Sequence, residues 1–309
     1  MTDPQVPAST TDTDTIDTSS ESRTPFTDRL SDNLQSIIKA LTGANARPPR
    51  RLKTLLSGTW LRHPLHPLLT DVPVGAWLLT VVFDIVWLIS PNGNAWAARA
   101  AEGTVILGTL AALAAVVTGL ADWSDSYGAE RTTGLYHGLL NSGATILYII
   151  SVVLRLTQTT GESTAAAVIG FAGFVVMTIG AYLGGDMVFA KGTQVNHTAW
   201  EAAGDDYEAV LPVAEAPANA LFRVTVSGVP VALLKLNDKF FAIAATCTHA
   251  GGPLDEGELQ GDVVQCPWHG SRFSVRTGQA ITGPASIAQP RYDVRIRDGQ
   301  IELKRIGGH

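Results

Sequence analysis

Residues 72–89 read VPVGAWLLTVVFDIVWLI, eighteen positions with a single charge, Asp84. At about 1.5 Å of rise per residue, a helix of that length comes close to spanning the roughly 30 Å hydrocarbon core of a bilayer. Three further stretches have the same character. Residues 103–120 are uncharged, Leu135 to Leu154 is uncharged but holds His137, and Thr164 to Leu183 is uncharged over twenty positions. Small residues recur along them, as in Gly108, Ala111, Ala112, Ala114 and Ala115, and these allow close helix approach in lipid. The competing reading, buried helices of a large water-soluble bundle, requires polar partner faces that these segments lack. The expectation is four transmembrane helices.

Outward from these spans the composition changes twice. Met1 to about Asp32 is rich in Ser, Thr and Asp, has no apolar h-region of a signal peptide, and is expected to be disordered. Arg47, Arg50, Arg51, Lys53 and Arg62 then precede the first span, whereas Arg99 stands alone in the loop after it. By the positive-inside rule the N-terminus is cytoplasmic, and four crossings return Lys191 and all that follows to that side. The loop from Asp122 to Gly134 fits less well, since it offers only Arg131. The basic cluster is expected to meet anionic lipid, and a formal net charge of -6 argues against a nucleic-acid partner. The chain thus divides into a disordered, basic cytoplasmic tail (1–62), a four-helix transmembrane domain (63–190), a linker (191–205) and a β domain (206–309). The location implied is the plasma membrane of a bacterium, with both termini in the cytoplasm.

In the last portion β-rich runs alternate with turn residues: Leu221 to Val226, Ser227-Gly228, Val229 to Leu236, Asn237-Asp238, Phe240 to Ala244. Two loops there carry the chain's two cysteines, as CTHAGGP (247–253) and CPWHGSRF (266–273). Each cysteine is followed by a histidine, Cys-x-His and Cys-x-x-His, so metal ligation is a better reading than a disulfide. A closed Cys2His2 zinc site would accept these ligand types, but zinc knuckles usually pair cysteine with cysteine and histidine with histidine. A Cys-His nucleophile is a further reading, weakened because two such pairs in matching loops would be redundant.

Over about 100 residues, through Gly283-Pro284, these loops resemble the Rieske family. The resemblance implies a small all-β fold, an antiparallel β-sandwich, carrying a [2Fe-2S] cluster. Cys247 and Cys266 would bind one iron as thiolates, and His249 and His269 the other through imidazole. It also implies a cluster environment of Ser271, whose hydroxyl reaches a bridging sulfide, Phe273, and Pro284 in the loop over the cluster. High-potential members have a disulfide where this chain has Gly252 and Trp268, and a tyrosine where it has Phe273. Their loss implies a low-potential, ferredoxin-type domain. The edge formed by His249, His269 and Pro284 would be the electron port. A second, mononuclear iron site would need more histidines than the remaining His63, His66, His137, His197 and His309 supply, so any oxygenase would be another polypeptide.

The opening RHPLHP (62–67) resembles an uncharacterised bacterial four-helix membrane family sometimes joined to redox domains, which implies fold and no chemistry. Weak internal matches run through this region. His66-Pro-Leu-Leu69 resembles His137-Gly-Leu-Leu140, and Gly119-Leu-Ala-Asp122 resembles Leu183-Gly-Gly-Asp186. They suggest a parallel repeat about an axis along the membrane normal, with His66, His137, Asp122 and Asp186 near the cytoplasmic face. Such histidines could hold a b-type haem or line a quinone site, with the aspartates orienting imidazole or taking protons; interface contacts and helix entry are the bland alternative. Asp84 is expected to face the bundle interior, with no partner evident. The functional expectation is a membrane-anchored Rieske ferredoxin passing one electron to or from a partner redox protein, a reductase or oxygenase. A quinol-linked oxidoreductase and a redox sensor are the alternatives.

Overall fold

The computed structural model describes residues 25–43, 51–90, 92–201 and 206–306. In chain order its helices are α1 (Pro25–Thr42), α2 (Arg51–Leu56), α3 (Leu65–Ile89), α4 (Ala95–Trp123), α5 (Gly128–Leu156) and α6 (Thr164–Gly185), the last continuing through a π-helical turn, Asp186–Ala190. The helices α3 to α6 are long and apolar enough to cross a membrane. They extend beyond the apolar runs because their polar ends remain helical, as at Ala95 to Glu102. Ser163 starts α6 by accepting the Ala166 N–H on its side chain, at 3.2 Å.

The two helical hairpins are related by an axis that runs along the bundle, and side chains that meet on it are each other's counterparts. His66 faces His137 with ring centroids 6.2 Å apart, Trp77 stacks on Tyr148 at 4.0 Å, and Asp84 pairs with Arg155 at 2.6 Å. Each pair is 71 residues apart in sequence (66 to 137, 77 to 148, 84 to 155). Only a twofold relation brings a residue against its own equivalent at three successive depths. In the second helix of each hairpin the spacing is 65 (108 to 173, 119 to 184). Trp77 lies over Gly108 and Tyr148 over Gly173, where an added Cβ would come within 2.6 and 3.0 Å of the ring. This register aligns Gly119 with Gly184, one residue from the alignment the short sequence matches suggest, so Asp122 and Asp186 are not equivalent.

The segment before the bundle needs correction. Residues 25–42 form an amphipathic helix instead of disordered chain, with Leu30, Leu34 and Ile38 packed on Trp123 and Leu135. Gln35 Nε2 donates to the carbonyls of Trp123 and Ser126 at 3.0 and 2.9 Å, and Arg131 Nη2 reaches Asp32 at 2.6 Å. Lys53, expected at the lipid surface, is buried. Its ammonium donates to the Ala121 carbonyl and pairs with Asp125 at 2.6 Å, placing a cation at the negative end of the α4 dipole. Arg47 and Arg50, like the first 24 residues and His309, lie outside the described residues.

The β domain has strands β1 (Glu208–Pro212), β2 (Leu221–Val226), β3 (Val229–Leu236), β4 (Lys239–Ala244), β5 (Glu258–Gln260), β6 (Val263–Gln265), β7 (Arg272–Ser274), β8 (Ala280–Thr282), β9 (Arg291–Arg297) and β10 (Gln300–Ile306). They form antiparallel sheets in the orders β1-β10-β9-β4-β3-β2 and β5-β6-β7-β8. Both residues of the Ser227-Gly228 and Asn237-Asp238 turns have positive φ, the backbone that tight hairpins of right-twisted strands require. Val231, Leu233, Ile301 and Leu303 fill one core; Leu234, Ile243, Val264 and Phe273 fill a second, which includes both cysteines.

Candidate metal centre

The two cysteine loops leave the end of the domain as copies of one backbone design. In the first, between β4 and β5, Cys247 N–H donates to Gly252 O and Gly251 N–H to Cys247 O, both at 2.8 Å. In the second, between β6 and β7, Cys266 N–H donates to Ser271 O at 2.8 Å and Gly270 N–H to Cys266 O at 3.1 Å. Each curl aims two further amides at its own sulfur: those of His249 and Ala250 at Cys247, those of Trp268 and His269 at Cys266. Amides directed at a thiolate stabilise its charge, and such outer contacts tune a metal bound to it.

The thiols are buried and free, with Cys247 S–H donating to Cys266. That bond draws Cys266 down to about 7 and pushes Cys247 up. His249 and His269 lie with ring centroids 4.8 Å apart and planes at 82°. Burial holds both imidazoles neutral, taking His249 down to about 3 with help from the charges of His269 and Lys53, and lowering His269 as well. Neutral imidazole is the form that ligates metal. A buried nitrogen on each ring, His249 Nδ1 and His269 Nε2, has no hydrogen-bond partner. Two thiols and two neutral imidazoles converging from paired loops, with unsatisfied ring nitrogens, fit the mixed donor set of a Rieske [2Fe-2S] cluster.

The other residues named from the resemblance lie around the two loops. Ser271 Oγ accepts the Ala285 N–H at 3.1 Å, which leaves its own proton free to donate. Phe273 is fully buried behind the cysteines. Pro284 lines a cleft with His249, and Gly283 before it has φ +104° and packs so close to Ser271 that a Cβ would come within 2.5 Å of its Cα. Gly252 and Trp268 are adjacent, a Cβ on Gly252 lying 3.0 Å from the indole and 2.8 Å from Cys266 Sγ.

The histidine edge is not open to solvent as expected. Tyr127, in the turn between α4 and α5, stacks on His269 at 4.7 Å, Pro64 lines the same cleft as His249 and Pro284, and Thr59 Oγ1 donates to Ala285 O at 3.2 Å. The membrane domain therefore covers the edge. Nothing in the periodicity of the sequence signals this docking, and Tyr127 and Thr59 are the residues the sequence reading misses. The connecting segment also takes part, His197 N–H donating to Thr248 O at 3.3 Å.

Of the four membrane candidates, only the histidines come together. His66 Nδ1 lies 2.8 Å from Ala115 O and His137 Nδ1 2.8 Å from Gly180 O, so backbone carbonyls orient the rings and the aspartates do not. Asp122 is buried facing Lys53, Gln194 and Ser57, and Asp186 pairs with Lys191 at 2.8 Å.

Comparison with known proteins divides the chain in the same place. The family described as "Predicted membrane protein (DUF2231)" matches residues 62–197, and "Rieske [2Fe-2S] domain" matches residues 206–293. Ferredoxin CarAc of Metapseudomonas resinovorans is 37% identical over 76 residues, 25% of this chain and 71% of that protein. The ferredoxin subunit of the 3-phenylpropionate/cinnamic acid dioxygenase of Escherichia coli K12 is 35% identical over 91 residues, 29% of this chain and 85% of the subunit. Among solved structures, the ferredoxin of the carbazole 1,9a-dioxygenase of Nocardioides aromaticivorans is 27% identical, with TM-score 0.31, covering 32% of this chain and 96% of its own.

Proposed function

Since this chain belongs to the Rieske [2Fe-2S] family, with a DUF2231 membrane domain ahead of the Rieske domain, we propose that Cys247 and Cys266 hold one iron and His249 and His269 the other. The protein then works as a membrane-anchored one-electron carrier. The observation that carries this reading is the pair of matching loops, which bring the two thiols into hydrogen-bond contact and the two neutral imidazoles to 4.8 Å. When bound, the cluster supplies the one-electron couple. The chain's residues set its terms: amides at both sulfurs and the Ser271 hydroxyl stabilise the reduced state, and Phe273 gives no phenolic hydrogen bond. The relative named as the ferredoxin subunit of a dioxygenase supports a redox protein as partner, an oxygenase or its reductase. The excess of positive charge before the first span, Arg47, Arg50, Arg51, Lys53 and Arg62 against Arg99 after it, supports a cytoplasmic Rieske domain.

Iron and acid-labile sulfide analysis with EPR of the dithionite-reduced protein tests the ligand set. Wild type is expected to hold two irons and two sulfides per chain with a Rieske spectrum. Cys247→Ser and His269→Ala should lose both while still inserting in the membrane. Stoichiometric zinc without sulfide would overturn the assignment.

A further inference from the structure

We propose that His66 and His137 form a second redox site, the two axial ligands of a b-type haem on the twofold axis of the membrane domain. Three observations on the two rings carry it. First, their tautomers are set. A carbonyl can only accept, so Nδ1 of each ring, 2.8 Å from Ala115 O or Gly180 O, carries the proton. The Asn141 amide, 3.3 Å from His137 Nδ1, already donates to the His137 carbonyl at 2.8 Å. Nε2 of each ring is then an unprotonated donor, without a hydrogen-bond partner among the described residues. An Nδ1–H tied to a carbonyl is the usual support for a metal-binding imidazole.

Second, the separation suits one shared metal. With metal–nitrogen distances of about 2.0–2.1 Å and roughly 1.2 Å from ring centre to nitrogen, two imidazoles on opposite sides of one ion have centroids about 6.4 Å apart. The observed distance is 6.2 Å, with ring planes at 90°. Among the described residues no third His, Cys, Asp or Glu joins the pair. Two ligands fall short of a zinc site, which takes four, but two are what haem iron takes when porphyrin supplies the rest.

Third, the surroundings are built twice. One turn beyond each carbonyl acceptor stands a glycine, Gly119 or Gly184, on which the ring lies; a Cβ there would come within 2.7 Å of His66 Cε1 or 2.8 Å of His137 Cε1. A structural histidine has little reason to be so held. Ala115 O and Gly180 O lie inside helices and already accept an i+4 amide, so neither carbonyl needs the ring. His66 is the second residue of α3, two positions from Pro64, which lines the cleft with His249 and Pro284. On the cluster assignment above, one electron passes from the reduced cluster to ferric haem, giving the oxidised cluster and ferrous haem, with no bond made and no proton moved.

The test uses the full chain, expressed with 5-aminolaevulinate and purified in detergent. Pyridine-haemochrome analysis should give one haem b per chain. EPR of the ferric form should show the low-spin, highly anisotropic signal of axial imidazoles with perpendicular planes. His66→Ala and His137→Ala should each lose the haem and keep the Rieske signal, whereas Cys266→Ser should lose the cluster and keep the haem, so the two assignments fail separately. Should the alanine variants lose both signals, His137→Gly with free imidazole decides, the low-spin signal returning if the site is real and staying absent if it is not. A fully clustered protein without haem, stoichiometric metal without porphyrin, or haem that survives both histidine variants would overturn the proposal.

Discussion

Replacing Asp84 with Asn should destabilise the membrane domain by about 3–5 kcal/mol, the cost of leaving one member of a buried ion pair without the other. The structure puts Asp84 at the full penalty. Arg155 Nη2 reaches both carboxylate oxygens, at 2.8 and 2.6 Å, and the two side chains are 0% and 5% exposed. Nε and Nη1 of Arg155 have no partner, so nothing nearby takes over when the carboxylate goes. The pseudo-twofold adds a sharper test. Positions 84 and 155 are equivalent by the 71-residue spacing and both side chains are buried on the axis. The exchanged pair, Asp84→Arg with Arg155→Asp, should therefore recover most of the loss, to within roughly 1–2 kcal/mol of wild type, as coupled neighbours do. Reversible unfolding of the full chain by SDS in mixed micelles, followed by fluorescence, measures wild type, Asp84→Asn, the two singles Asp84→Arg and Arg155→Asp, and the exchanged pair. Single variants within about 1 kcal/mol of wild type, or an exchanged pair as unstable as the two singles added together, would refute both the buried pair and the axis.

Gly252→Ala should overpack the sulfur cage by about 1–3 kcal/mol and lower iron and sulfide occupancy, because its Cβ would sit 2.8 Å from Cys266 Sγ; full occupancy at unchanged melting temperature would contradict this. Protein-film voltammetry should give a potential nearer the roughly -150 mV than the +300 mV end of the Rieske range, flat between about pH 6 and 9, with Phe273→Tyr moving it upward. A wild-type potential well above zero that falls through neutral pH would mean that proton and electron move together. Tyr127→Ala should leave cluster content unchanged and make His269 in the cluster-free protein more reactive toward diethylpyrocarbonate, as read by mass spectrometry; equal reactivity would argue that the two domains do not dock in solution.

What could be read from the chain and what could not follow from the range of the interactions. The strands Leu221–Val226 and Val229–Leu236 were legible to the residue, since alternation and two-residue turns are local signals. The cysteine loops were legible because ligand spacing is local too. The helix at Pro25–Thr42 was obscured by the Ser, Thr and Asp around it, although Leu30, Leu34 and Ile38 carry its period. The partner of Asp84 was hidden in plain view: the shift that aligns His66 with His137, applied to Asp84, lands on Arg155. The one-residue slip between Asp122 and Asp186 arose because short matches cannot fix register, whereas glycines pressed against rings can. The covering of the histidine edge has no periodic signature, being a contact between domains through Thr59, Pro64 and Tyr127.

That contact also governs how the carrier competes for traffic. The Rieske domain is joined to its own dock by the segment between Ala190 and Glu208, and Tyr127 closes on His269. A module held by a short tether faces its dock at an effective concentration in the millimolar range. A free partner at about one micromolar and of equal intrinsic affinity would therefore occupy the same edge in roughly one encounter in a thousand. On the proposed function, exchange with the membrane domain would then be first order and insensitive to protein abundance. Exchange with a diffusing protein would be limited by release of the dock, so strengthening the contacts at Tyr127 or Thr59 would slow the second route while sparing the first.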